Sequence, residues 1–208
     1  GIVIITVVLM VVFSLPRINR KKPAFRAMGA FTQLRRAIGL TVEQGSRLHI
    51  SLGKSSIIGP DNASALAGLS TLERITSTSS LSDRPPVVTS VDGTLALLSQ
   101  DTLRAGYRIS NAMEQYDPDR GRLTGPTSMS YVAGALPVTT SEHVSAHVLL
   151  GNFGPEIALV TEAAEQQESF TLAASDSLPA QAVLYATAQE PLIGEELFAV
   201  PAYLQAGS

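Results

Sequence analysis

The sequence predicts an α/β protein with an N-terminal transmembrane helix followed by a soluble α/β domain that has a mostly parallel sheet. Three observations predict this class. An uncharged apolar run, IVIITVVLMVVFSL, occupies residues 2–15, and a group of basic residues follows it directly. Beyond residue 45, short segments rich in Val, Ile and Leu alternate with amphipathic helical patterns. Such alternation is typical of βαβ units and therefore of a parallel sheet.

The apolar run is the first element. A helix that crosses the hydrocarbon core needs about 20 apolar residues, and fewer than that precede Pro16. Because the chain begins at Gly1 rather than Met, we expect the helix to start upstream of this numbering. A signal peptide would carry its basic residues before the run. A buried strand or core helix of this length remains an alternative. We interpret residues 1–16 as a transmembrane helix that is truncated at its N-terminus.

A basic border follows the run. Basic residues next to a membrane helix stay on the cytoplasmic side and are attracted to anionic lipid. The sequence therefore predicts a single-pass protein of the cell membrane with a cytoplasmic domain and the lipid bilayer as a partner. Residues 17–44 are expected to form a basic juxtamembrane segment and an amphipathic helix. The border residues are Arg17, Arg20, Lys21, Lys22 and Arg26.

Residues 45–208 are predicted to form the cytoplasmic α/β domain. Period-two alternation and β-branched runs indicate strands at residues 47–52, 87–91, 143–150 and 169–174. Helical spacing, caps and first-turn prolines indicate helices at residues 60–75, 95–111 and 155–167, another from 176 or 177, and a last one at 191–204. Residues 76–82 and 116–126 are expected to be loops, and 127–140 are compatible with several structures.

Composition excludes several function classes. The chain has no Cys, which excludes disulfides, thiolate catalysis, thiolate zinc sites and iron–sulfur clusters. Residues 37–208 carry eight basic and 18 acidic groups, so this part should be repelled by nucleic acid. Only 16% of the chain is charged, less than the usual quarter. Low charge together with small-residue helices suggests that some surface is buried against other chains.

Two motifs resemble known sites without completing them. Gly53-Lys54-Ser55 resembles part of a phosphate-binding loop, but Leu48 stands where that loop needs its first glycine. We therefore interpret it as a strand-to-helix connection. His143 and His147 have the spacing of a zinc-binding pair on a helix. In the predicted strand they instead share a polar face with Ser145, so we expect a solvated or interface face.

A third motif, Asp117-Pro118-Asp119, resembles the start of a calcium loop. That loop needs Gly at its sixth position and Glu at its twelfth, where this chain has Arg122 and Ser128. We interpret the motif as a turn. Neither a nucleophile elbow nor a dinucleotide-binding glycine pattern occurs. The sequence thus predicts no catalytic residues, no metal and no cofactor.

Small polar loops provide the remaining candidate site. In an open parallel sheet, ligands bind beyond the carboxyl ends of the strands. The loops expected there could rim a pocket for a small polar ligand, although turn and cap chemistry explains their composition equally well. The candidate ligand-binding residues are Lys54, Ser55, Asp92, Thr94, Asn152 and Asp176.

Three stretches carry a resemblance: AMGAFTQLRRAIGLTVEQGSRLHISLGKSSIIGPDNASALAGLSTLERI, SVDGTLALLSQDTLRAGY and GEELFAVPAYL. They resemble a family of bacterial membrane proteins known only as a domain of unknown function, over most of residues 27–204. The resemblance implies an N-terminal membrane helix, this domain and at least one further membrane helix. It implies no catalytic residue.

These observations lead to two functional hypotheses. The first is a non-enzymatic, membrane-anchored structural or accessory protein whose cytoplasmic domain forms a homo-oligomer or docks a partner complex at the membrane. The alternative is a membrane-tethered domain that binds or senses a small ligand through the loops named above.

Overall fold

The structure, a computed structural model, describes residues 2–14, 26–60, 62–79 and 84–206. The strands are β1 (Arg47–Gly53), β2 (Val87–Ser90), β3 (Gly121–Leu123), β4 (Val144–Asn152), β5 (Phe170–Ser175) and β6 (Glu190–Leu192). The helices are α1 (Ile2–Ser14), α2 (Gly29–Glu43), α3 (Asn62–Ser79), α4 (Gly93–Ile109), α5 (Ser128–Ser141), α6 (Ala158–Gln166), α7 (Leu178–Thr187) and α8 (Glu196–Ala206).

The six strands form one sheet in the order β3-β2-β1-β4-β5-β6, and all five pairings are parallel. β1 and β4 lie at its centre. In their register, His49 lies opposite Val87 of β2 on one side and His147 of β4 on the other. The chain moves outward from β1 through β2 to β3, then returns to the centre at β4 and continues in the other direction.

Helices cover both faces of the sheet. On one face, α2, α3, α4 and α8 pack on the side chains of Ile50, Val148 and Leu172. On the other face, α5, α6 and α7 pack around Leu149 and Ala173. Buried on both faces, the central strands belong to a doubly wound α/β architecture.

Helix starts follow from capping chemistry. Asp92 precedes α4, and its Oδ1 accepts a hydrogen bond from the Leu95 N–H at 2.8 Å. α5 begins with a capping box between Thr127 and Ser130. This helix occupies the stretch 127–140 that the sequence left open. Pro137 lies inside it and is exposed, so α5 forms despite a residue that usually interrupts helices.

The predicted transmembrane helix is wrong, and with it the single-pass membrane localisation. α1 has 13 residues, which rise about 20 Å along the helix axis, whereas the hydrocarbon core is about 30 Å thick. Among the residues that the structure describes, none of the helices has both the length and the apolarity to cross a bilayer. Of the predicted border residues only Arg26 is described, and it is exposed; the other four, 17, 20, 21 and 22, lie outside the described ranges.

Several predicted boundaries also differ. α3 continues to Ser79, through part of the expected loop at 76–82, and residues 80–83 lie outside the described ranges. The amphipathic helix expected within residues 17–44 is α2, which begins at Gly29 and ends at Glu43. β3 lies within the expected loop at 116–126, and β6 at the start of the expected helix at 191–204. Both are three-residue edge strands, where Gly and Pro are tolerated.

Candidate functional site

The centre of the carboxyl edge is the point where the chain changes direction. β1 and β4 lie side by side, but the connection after β1 leads to the α3 face and the connection after β4 leads to the α6 face. In open parallel sheets, ligands bind at this topological switch point. Candidate residues Lys54 and Ser55 follow β1 directly, and Asn152 ends β4.

The two loops at the switch point are bonded to each other. The Lys54 N–H donates to the Asn152 carbonyl at 2.7 Å, and the Asn152 N–H donates to Ser55 Oγ at 2.8 Å. Gly53 permits this approach, because its φ is +60° and a Cβ there would collide with the Asn152 carbonyl. The backbone N–H groups of Lys54 and Asn152 are therefore already paired within the protein.

Lys54 reaches across the edge to the loop after β4. Its Nζ lies 3.1 Å from Glu156 Oε1 and 3.0 Å from Ser128 Oγ. The side chains of Lys54 and Glu156 are 30% and 13% exposed. Burial alone would raise the pKa of Glu156, but hydrogen bonds from its own backbone, Ser128 and Lys54, together with the Lys54 charge, lower it overall. Glu156 is thus a stable carboxylate at neutral pH.

Two further polar pairs flank this ion pair. Ser56 Oγ donates to Asp92 Oδ2 at 3.3 Å, and Asn152 Nδ2 donates to Asp176 Oδ1 at 2.9 Å. Thr94 is exposed in the first turn of α4 and takes no part in these bonds. Five of the six predicted ligand residues therefore belong to one polar edge formed by the loops after β1, β2, β4 and β5.

Sequence reasoning missed Glu156 and Ser128 as members of this edge. Glu156 follows Pro155 in the loop after β4. Its position beyond the end of a predicted strand could have identified it as a candidate. Its pairing with Lys54 depends on β1 and β4 being neighbours. With Glu156 included, the edge carries three carboxylates (Asp92, Glu156, Asp176) and one ammonium group. Among the described residues there is no group of three or more His, Cys, Asp or Glu side chains placed to hold a metal ion.

The prediction of a solvated histidine face is wrong. His143 is exposed but precedes β4 with a positive φ of 55°, and His147 is fully buried. His147 Nδ1 lies 3.0 Å from His49 Nδ1, and His49 Nε2 lies 2.9 Å from Thr89 Oγ1. Helix α5 covers this face of the sheet, and Tyr131 of α5 hydrogen-bonds Ser51 beside the pair.

The hydrogen bonds suggest the tautomers of the buried pair. If His49 donates from Nε2 to Thr89, its Nδ1 accepts, and His147 donates from Nδ1. His147 Nε2 is then a bare lone pair, which agrees with its lack of a partner in the described structure. Burial lowers the pKa of His147 to about 3, and burial followed by repulsion from His147 lowers that of His49 well below its ordinary value. Both imidazoles are neutral at pH 7.

The fold and this edge define the class of the protein: a doubly wound α/β domain with a polar switch point. The chain belongs to the family described as Domain of unknown function (DUF6754), whose family model matches residues 1–207. Comparison with curated proteins and with solved structures gives no match. The family thus agrees with the resemblance found in the sequence, while its membrane and bacterial character has no support here.

Proposed function

We propose that the domain binds a small polar ligand at the carboxyl edge of its sheet, above the bonded loops of β1 and β4. The supporting observation is the convergence of three polar pairs, Lys54–Glu156, Ser56–Asp92 and Asn152–Asp176, at the topological switch point. Each pair is partly exposed, so a ligand can exchange hydrogen bonds with it. The sheet supplies the rigid support that precise recognition needs.

The charge of the edge selects the class of ligand. Three carboxylates against one ammonium group disfavour nucleotides and other anions, because like charges at close range cost several kcal/mol. Carboxylates accept hydrogen bonds, so the edge suits a neutral or cationic ligand with several O–H or N–H donors, such as a polyol, sugar or amine. The role is that of a ligand-binding or sensory module without catalysis.

A thermal-unfolding screen tests this proposal. A ligand at one hundred times its Kd stabilises a protein by about 2.7 kcal/mol, which raises the Tm of a chain of this size by roughly 5–11 °C. Polyols, sugars, amino acids and amines form the test set, and anionic nucleotides form the negative set. Asp176→Asn and Asn152→Ala should weaken the response, and Glu43→Gln, an exposed change at the end of α2, should leave it intact. Failure of the whole test set to raise Tm would exclude the ligand site.

Self-association is a second candidate, favoured by a groove of about 400 Å³ between α3 and α4. Leu66 and Ile109 line it and are 54% and 76% exposed. The groove also carries Glu73, Arg74 and Asp101. Charges of both signs around an apolar centre suit a second copy of the chain related by a two-fold axis, because such an interface must complement itself.

Mass measurement in solution separates this candidate from a monomer. Self-association through the groove predicts a dimer that Ile109→Glu converts to a monomer, while Leu178→Glu, an equally exposed position on α7, leaves the dimer unchanged. A monomeric wild-type chain at high concentration would exclude it.

A further inference from the structure

An arginine cluster lies at the opposite edge of the sheet from the polar edge. Arg47 begins β1, Arg122 lies in β3 and Arg120 directly precedes β3. All three guanidinium groups converge on Glu142, which follows α5. Arg47 Nη1 and Arg120 Nη1 lie 3.1 and 3.3 Å from Glu142 Oε2, and Arg122 Nη1 pairs with Glu142 Oε1.

The cluster has more positive charge than its partners neutralise. Beyond Glu142, Asp117 is the other carboxylate paired with it, 2.8 Å from Arg120 Nε but outside hydrogen-bond geometry. In the ion pairs of the described residues, three guanidinium groups therefore face two carboxylates. Their side chains are only 13–31% exposed, so water screens this excess incompletely.

Donors as well as charge remain unused. Each guanidinium has five N–H donors, and the Nε of Arg47 is buried without a hydrogen-bond partner in the described structure. Burial and then repulsion from Arg120 lower the pKa of Arg47, with Glu142 opposing the shift. An anion bound beside Glu142 would reduce the repulsion between the guanidinium groups further than Glu142 does by itself.

The cluster is accessible from one side. Arg122 lines an open groove of about 470 Å³ beside β3, together with Gln100, Thr124 and Asp119. The groove leads to the most exposed of the three arginines, and Arg122 Nε already donates to the Asp119 carbonyl at 2.9 Å. A group entering there meets the guanidinium fork of Arg122, which matches the oxygen spacing of phosphate and shares Glu142 with Arg47 and Arg120.

We propose that Arg47, Arg120 and Arg122 form a binding site for a phosphate group, with Glu142 occupying the guanidinium groups when no ligand is present. The charge excess selects a dianionic phosphate over a second carboxylate. This site differs from the ligand site of the carboxyl edge in position and in sign, so either can exist without the other.

Titration with inorganic phosphate and with glycerol phosphate, against sodium chloride at equal ionic strength, tests the proposal. The purified chain should show a saturable rise in Tm with phosphate that chloride does not reproduce. Equal or tighter binding of glycerol phosphate would identify a phosphorylated small molecule, and binding of inorganic phosphate alone would identify the free ion. Equal responses to phosphate and chloride would overturn the site.

Variants locate the binding. Arg122→Gln removes charge-assisted bonds and should weaken the Kd by at least about tenfold, while Arg36→Gln, an exposed change on α2, should bind as the wild type does. Glu142→Gln removes the competing negative charge and should bind phosphate more tightly. If Glu142→Gln folds only when phosphate is present, the site is supported. Unchanged binding in Arg122→Gln, or weaker binding in Glu142→Gln, would refute it.

Discussion

The buried histidine pair makes stability depend on pH in a way that can be calculated. Free histidine has a pKa near 6.5 in an unfolded chain, whereas that of His147 is about 3 in the folded protein and that of His49 is well below 6.5. Between these values the unfolded state binds protons that the folded state does not. The free energy of unfolding therefore rises with pH in this window. The stability that depends on the two histidines being neutral is fully present above about pH 6.5 and is lost as the pH falls toward 3.

The size of the effect follows from the same shifts. A buried histidine that stays neutral in the folded protein removes about 1.4 kcal/mol of stability for every pH unit below 6. For His147 the loss reaches about 5 kcal/mol near pH 3. Domains are stable by about 5–15 kcal/mol, so this one group can remove a large part of the stability of the fold, and His49 adds to the loss in the same direction. Protonation would also give His147 Nε2 a hydrogen with no acceptor.

Urea unfolding followed by circular dichroism at pH 7.5, 6.5, 5.5 and 4.5 measures this dependence. His147→Asn places an amide near the position of Nδ1, and it should lower the slope between pH 6.5 and 4.5 by about 1.4 kcal/mol per pH unit. His143→Asn alters the exposed histidine and should keep the wild-type slope. The carboxylates titrate in all three proteins, so their contribution to the slope cancels when the slopes are compared. An unchanged slope in His147→Asn would refute the neutral buried pair.

Four further substitutions test the backbone of the switch point, the interior of helix α2 and the cap of helix α4. Gly53→Ala should destabilise the protein by at least about 1–3 kcal/mol in urea unfolding, because φ is positive and the added Cβ meets Asn152. Gly39→Ala, where the same atom meets nothing within 4 Å inside helix α2, should stabilise it by about 0.5–1 kcal/mol; destabilisation there would contradict the helical assignment. Asp92→Ala should cost about 1 kcal/mol through loss of the α4 cap, and Asp92→Asn should retain most of that stability.

The central strands could be predicted because their signal is local. The alternation in β1 and the apolar run of β4 fix both strands before any neighbour is known. Helix α5 buries the polar positions of that alternation, His49 and Ser51, and supplies Tyr131 as a partner. Burial of a polar face is a tertiary property that period-two patterning cannot report.

The short edge strands and the partner of Lys54 could not be predicted. β3 and β6 have three residues each, and they form because a neighbouring strand offers hydrogen bonds, which a window of sequence does not contain. The sequence could predict that five candidate residues lie together, because the carboxyl ends of parallel strands share one edge. Glu156 was missed because its contact requires β4 to lie beside β1. The start of α5 was recognisable in principle, since Thr127 and Ser130 have capping-box spacing.

The opposite charges of the two sheet edges have a common physical origin. In a parallel α/β fold, helices begin at the carboxyl edge and end at the amino edge, so their dipoles favour acids at the first and bases at the second. This explains Asp92 as a cap and one arginine near the end of α5. It does not explain three guanidinium groups on Glu142, because a dipole end equals only about half an elementary charge. The helix dipoles therefore do not account for the arginine cluster, and the phosphate titration tests the anion site that we propose there.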